Sequence, residues 1–280
     1  MKIYRFWVKC TRLSPQKYDE NTPCFFTAYG YSNTSEDDAR HCGEKLLDTI
    51  CRKTKGERNP WEYSLDGRPI REETLMVLND GNVVTRNRYG AEVLNSTTHF
   101  FIDIDGEIHF EGSFFGFLSN LFSSQKPSND DIESLIRVKK LADKAGLAGK
   151  EIRVYRTKAG FRLILHHERP TQELRKKLMA AFYADSLYAD LCEIQDCCRA
   201  RLTPKPHRIH LPKCHFNFPE TDAAVIERQK QWLEKYSQQS ESYASCHYIG
   251  SIYGPDGVSN DDIIRFHDDR TKAMSKLPLA

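Results

Sequence analysis

No apolar run in the sequence approaches the roughly 20 residues that a membrane-spanning helix needs. The start offers no leader either: Lys2 and Arg5 stand in the short stretch KIYRFWVKC, without the apolar block of a signal peptide. Both absences set the expectation of a cytoplasmic protein without a membrane partner. The nine cysteines are odd in number and scattered, with no C-x-x-C pair, so reduced thiols are expected rather than a disulfide framework. Cys192, Cys197, Cys198, His207, His210, Cys214 and His215 lack the spacing of a structural zinc site. No Walker loop, dinucleotide-binding glycine pattern or Ser-His-Asp order occurs, which argues against the commonest nucleotide and acyl-transfer chemistries. Charge of one sign is also missing, because 41 basic and 39 acidic residues leave a net charge of +2. Contact with nucleic acid therefore has to come from local basic patches.

What is present suits one large or two small domains: 280 residues, 39% apolar, 11% aromatic and 29% charged. KIYRFWVKC and FFTAYGY read as strands. SNTSEDDARHCGEKLLDTICRK reads as a helix, with Ser35 as its cap and Ala39, Cys42, Leu46, Leu47 and Ile50 along one face. Residues 52–73 read as loop, ETLMVLNDG as a short helix or turn, and VVTRNRYGAEVLN as two strands about Gly90. HFFIDIDGEIHFEG reads as a strand and hairpin turning at Gly106. Helices are expected in DDIESLIRVKKLADKAG, TQELRKKLMAAFYAD, SLYADLCEIQDCC and DAAVIERQKQWLEKY, with a short one at DDIIRF. EIRVYRTKAGFRLILHH reads as a hairpin. RARLTPKPHRIHLP reads as largely extended, because Pro204, Pro206 and Pro212 exclude helix. The segment SFFGFLSNLFSSQKPS carries no assignable pattern. Hairpins mixed with helices point to an α+β fold, an antiparallel or mixed sheet with helices mainly on one face. The chain divides on this reading into a β-β-α subdomain (1–80), a core (81–218) and a C-terminal helical and loop extension (219–280).

Three groups of residues carry chemistry. Asp103 and Asp105 lie two apart on an otherwise apolar strand and so share a face. Two such carboxylates can converge on hard divalent ions, or Asp105-Gly106 can simply open a turn beside a solvated Asp103. In VYRTKAGFRLIL, a three-residue loop with left-handed Gly160 sets Arg156 opposite Arg162, and two facing arginines call for an anion between them. A two-residue loop instead puts Thr157 beside Arg162. RARLTPKPHR brings Arg199, Arg201, Lys205 and Arg208 into ten residues, while TRNRYG adds Arg86 and Arg88, with Tyr89 able to stack on a base. Each run can equally be a solvated charged face.

In order, the D-I-D strand, a helix, the hairpin TKAGFRLIL, a late carboxylate and RARLTPKP resemble the catalytic core of archaeo-eukaryotic-type primases, the primase-polymerases. The chain also resembles a bacterial protein group marked by TRNRYGA, DID, YRT-AG-R and RARLTPKP. The primase resemblance implies an RRM-like sheet and a Mg²⁺ or Mn²⁺ site on Asp103, Asp105 and a third acid. Asp185 is the first choice for that acid, with Asp190, Glu193 and Asp196 as alternatives. It implies nucleotide phosphates on Arg156, Thr157, Lys158, Gly160 and Arg162, and phosphates of nucleotide or template on Arg199, Arg201 and Lys205. Arg86, Arg88, Tyr89 and Arg208 would then contact nucleic acid. Arg162 stands where the family usually carries histidine, and arginine cannot shuttle protons at neutral pH. The activity so implied is a nucleotidyltransferase of replication, joining nucleoside triphosphates on a template by two-metal catalysis, with replication or mobile-element proteins as partners. The alternatives are a non-catalytic single-strand-binding module on the same fold and a metal-dependent nuclease.

Overall fold

Alternating and continuous apolar runs pair antiparallel throughout the chain, and they build three separate sheets. The structure, a computed structural model, describes residues 1–14, 24–53, 69–106, 129–165, 171–184 and 186–280. The first sheet is β1 (Phe6–Leu13) on β2 (Phe25–Ser32), covered by α1 (Glu36–Lys53), whose Ser35 cap accepts from the Asp38 amide. The second joins β3 (Glu73–Asn79), β4 (Asn82–Arg86), β5 (Glu92–Ser96) and β9 (Cys198–Arg201) in that order. The third runs β10 (Cys246–Ile252), β7 (Ile152–Thr157), β8 (Gly160–Leu165), β6 (Phe100–Asp105). Helices α2 (Asn129–Lys144), α3 (Gln172–Ala181), α4 (Ser186–Gln195), α5 (Ala223–Ser240) and α6 (Asp262–Thr271) complete the α+β fold.

The third sheet holds the main core. Phe100, Ile102 and Ile104 stand opposite Leu165, Leu163 and Phe161, and all are buried. Burying each such side chain contributes about 1.5–3 kcal/mol. This face looks toward α2, since Arg156 on it reaches Asp131 of that helix. The opposite face carries Phe101, Asp103, Tyr155 and Arg162, and α6 lies against it with the His267 ring 5.0 Å from Tyr155. Helices pack on both faces of this sheet, α2 on one and α6 on the other.

Some expectations change in detail. ETLMVLN is the edge strand β3, paired with β4, and not a helix or turn. The tail contributes β10, which completes the third sheet. After β9 the chain closes a short 3-10 turn over Pro206–Ile209, where Pro206 sits at the first turn and needs no amide partner. The β7–β8 loop has two residues, Lys158 and Ala159, so Arg162 faces Tyr155 and Arg156 faces Phe161. Gly160 has no positive φ. It is needed for close approach, because a Cβ there would lie 2.0 Å from the Ile104 carbonyl oxygen. Asp185, the second arm of the Gly106 hairpin and residues 113–128 lie outside the described residues. No helix among the described residues is long and apolar enough to cross a membrane.

Candidate anion-binding site

β6, β8 and β9 meet at one arginine. Asp103 and Arg162 are directly opposed on β6 and β8, and the register aims their side chains at each other. Arg162 donates from Nε to Oδ1 of Asp103 at 2.7 Å and from Nη2 to Oδ2 at 3.0 Å, a forked pair. Its remaining Nη1 donates to the carbonyl of Arg201, 2.9 Å away at the end of β9, and lies 3.3 Å from His267 Nε2. Arg162 is 2% exposed, while the Asp103 side chain is 33% exposed. Burial alone would lower the Arg162 pKa, and Asp103 raises it instead.

A buried polar chain continues from there. Arg162 can only donate, so His267 Nε2 accepts and the neutral ring carries its proton on Nδ1, which donates to Asp268 Oδ1 at 2.9 Å. Asp268 Oδ2 accepts from Arg153, whose Nε donates to the Tyr155 hydroxyl. Burial, then the Arg162 charge, lowers the His267 pKa, with Asp268 and Asp103 opposing. The sequence hinted at this pair in FHDD, but the expected short helix DDIIRF stops just before it.

Beyond Arg162 the chain turns strongly cationic. A cavity of about 410 Å³ is lined by Asn87, Tyr89, Arg201, Lys205, His207 and Lys213, among others. The turn between β4 and β5 supplies Asn87 and Tyr89, with Asn87 Oδ1 accepting from the amides of Tyr89 and Ala91. The segment after β9 supplies the cations. Among the described residues no acceptor meets the Arg201 side chain, and its Nε is buried without a partner. Burial pulls its pKa down to about 10, with Arg162 and Arg208 adding to the effect and Asp103 opposing it. It stays charged at neutral pH. Lys205 is lowered by burial, then by Arg201 and Arg208, while Asp105 and Asp103 act the other way. His207 is lowered by burial, then by Arg208, Lys205, Arg201 and Lys213. Arg201 is half-buried while Lys205 and His207 are exposed, and an anion in the cavity would offset the repulsion among these like charges.

The residues singled out from sequence divide sharply. Arg201 and Lys205 line the cavity with Tyr89, and Arg208 acts on both. Arg88 lies over the exposed Tyr89 ring at 5.3 Å. Arg199 does not join them, because Glu72 holds it at 2.6 Å and Gln195 takes a second bond. Arg86 is held by Glu73 and the Gly90 carbonyl, and Arg156 by Asp131 over the Phe161 ring. Arg162 is consumed by Asp103 and the Arg201 carbonyl, so it is no open phosphate ligand. Thr157 and Lys158 sit at the β7–β8 turn, with Lys158 exposed. Sequence reasoning did not single out Lys213, and it did not read Asn87 of TRNRYG or His207 of RARLTPKPHR as parts of a cavity, which only the fold brings together.

A Mg²⁺ or Mn²⁺ pair needs oxygens from several carboxylates. Both oxygens of Asp103 are taken by Arg162, which leaves Asp105 as the uncommitted acid of the two. Glu193 is held by Lys176 and Gln172, and Asp196 by Arg175 and the N-terminal amine. Asp190 lines a separate cavity between α3 and α4. Among the described residues no three potential metal ligands converge. Asp185, the first choice for the third acid, lies outside the described residues. The chain matches no family model, and no curated protein or solved structure matches it significantly.

Proposed function

We propose that the chain binds single-stranded nucleic acid, taking a phosphate into the cavity at Arg201 and stacking an unpaired base on Tyr89. The observation that carries this reading is the Arg201 guanidinium: it lines the cavity half-buried, without a hydrogen-bond partner among the described residues, and other cations crowd it. Forked hydrogen bonds to phosphate oxygens would satisfy it. Lys205, Lys213 and Arg208 supply further charge for a phosphate chain, and an exposed aromatic beside such a groove is the usual platform for bases. Arg88 adds a cation at the rim.

A second reading keeps the primase-polymerase activity, and one observation favours it. Asp103 and Asp105 both act electrostatically on Lys205, so the acids and the ligand-facing cations share one locale. The two readings part in a single experiment. Wild-type and Asp105→Asn proteins are incubated with Mn²⁺, a primed template and labelled nucleoside triphosphates, while template binding is followed by fluorescence anisotropy. The binding reading expects both proteins to hold the template, with neither extension nor cleavage. Extension or cleavage that disappears in Asp105→Asn would give the acids a catalytic role, and absence of binding in both would end the nucleic-acid reading.

A further inference from the structure

Arg201 faces the cavity with no side-chain bond to hold it there, so something else must fix its position. Its backbone is held from several sides. On one edge, β9 pairs with β5 through Val93 opposite Arg201. The next residues are tied by Leu202 N donating to Glu92 O, by Glu92 N donating to Thr203 Oγ1, and by the Tyr236 hydroxyl, which bonds Thr203 Oγ1 and the Pro204 carbonyl. On the other edge, facing the third sheet, the carbonyl of Arg201 itself accepts from Arg162 Nη1. Arg162 is in turn locked by the forked bond to Asp103 and by His267. Every nitrogen of its guanidinium makes at least one hydrogen bond within the protein.

We propose that Arg162 is a positioning residue for the anion site, holding Arg201 at the cavity through its backbone carbonyl while Asp103 and His267 hold Arg162. This rests on the nucleic-acid reading above and extends it to a residue that would not touch the ligand. A site whose donor is fixed before the ligand arrives loses less entropy on binding. The arrangement also gives Asp103 a role that needs no metal: it is the counter-charge that keeps Arg162 in place.

The test is the salt dependence of binding to a labelled oligo-thymidylate. Each phosphate contact with a single strand contributes about 0.7 to the slope of log affinity against log salt. Arg201→Met should lower the slope by about that amount. Arg162→Met should lower it by the same amount without removing a ligand contact, and the double variant should fall no further than either single one. If Arg162→Met does not fold, Arg162→Lys serves, since lysine keeps the buried charge beside Asp103 but cannot span both Asp103 and the Arg201 carbonyl. It too should show the Arg201→Met slope. A wild-type slope in a folded Arg162 variant, with only its melting temperature reduced, would overturn the positioning role. Equal slopes for wild type and Arg201→Met would instead overturn the binding reading beneath it, whatever the Arg162 variants do.

Discussion

Arg201 and Arg162 are the same residue type, linked by a hydrogen bond from the Arg162 side chain to the Arg201 carbonyl, yet they stand in opposite states. Arg162 has a carboxylate across the sheet and a carbonyl to fill its fork. Arg201 has neighbours of its own sign and an orphan Nε. A group kept in an unfavourable state by the fold points to a site whose function needs it. Stability and binding should then move in opposite directions at Arg201. Arg201→Met keeps most of the volume and removes the repulsion, so it is expected to stabilise the protein by about 1–3 kcal/mol while weakening oligonucleotide binding. Thermal unfolding together with a binding titration checks this, and a lower melting temperature would show that Arg201 is satisfied in the free protein. Asp103→Ala should act the other way, costing about 3 kcal/mol by leaving Arg162 buried without its counter-charge. The sequence offered both arginines as phosphate ligands, since a lone arginine on a strand does not reveal what stands opposite. Of the two loop lengths the sequence allows, the shorter is present, and it sets Arg162 opposite Tyr155 rather than Arg156. The Asp103 pairing follows from β6 lying beside β8, a long-range contact that no local pattern encodes.

At the scale of elements, the β6–β8 and α6–β8 contacts decide whether the site exists. Gly160 lets β8 start against β6, and a methyl group there would collide with the Ile104 carbonyl. Gly160→Ala is therefore expected to cost about 2–3 kcal/mol and to weaken oligonucleotide binding, as read by urea unfolding and anisotropy. An unchanged unfolding midpoint would show that the strand start can shift freely. The helix α6 contributes His267, which faces Arg162, Asp103, Asp268 and the rings of Tyr155 and Phe101. Its folded pKa lies below that of an unfolded histidine near 6.5. Between those two values the unfolded chain binds a proton that the native protein does not, so stability falls as pH drops through that window. Wild type should lose more stability than His267→Gln between pH 7 and pH 5 in urea unfolding, and parallel losses would remove His267 from the account. Strands and hairpins around the site were legible from alternation and turn residues, as in VVTRNRYGAEVLN and EIRVYRTKAGFRLIL. The edge strand ETLMVLN and the tail strand CHYIGSI were not, because each owes its conformation to a partner strand rather than to its own pattern.

For the whole molecule, near-neutral net charge conceals a strong local imbalance. Residues 199–213 contain Arg199, Arg201, Lys205, Arg208 and Lys213 and no aspartate or glutamate. The fold then sorts this run, because Glu72, 127 positions away, removes Arg199, while Arg201, Lys205 and Lys213 line the cavity. That sorting was beyond the sequence, while the run itself was plain in it. A basic cavity with the exposed Tyr89 in its wall should prefer unpaired bases to a duplex, whose bases cannot reach the ring. At 150 mM salt a single strand should compete better than a duplex of equal length, and the reverse order would argue against stacking on Tyr89. The most direct measurement of the central idea is calorimetric titration of inorganic pyrophosphate into wild type and Arg201→Met. Saturable binding of one pyrophosphate per wild-type chain is predicted, reduced at least tenfold in the variant, and equal affinity in the two proteins would contradict an anion site at Arg201.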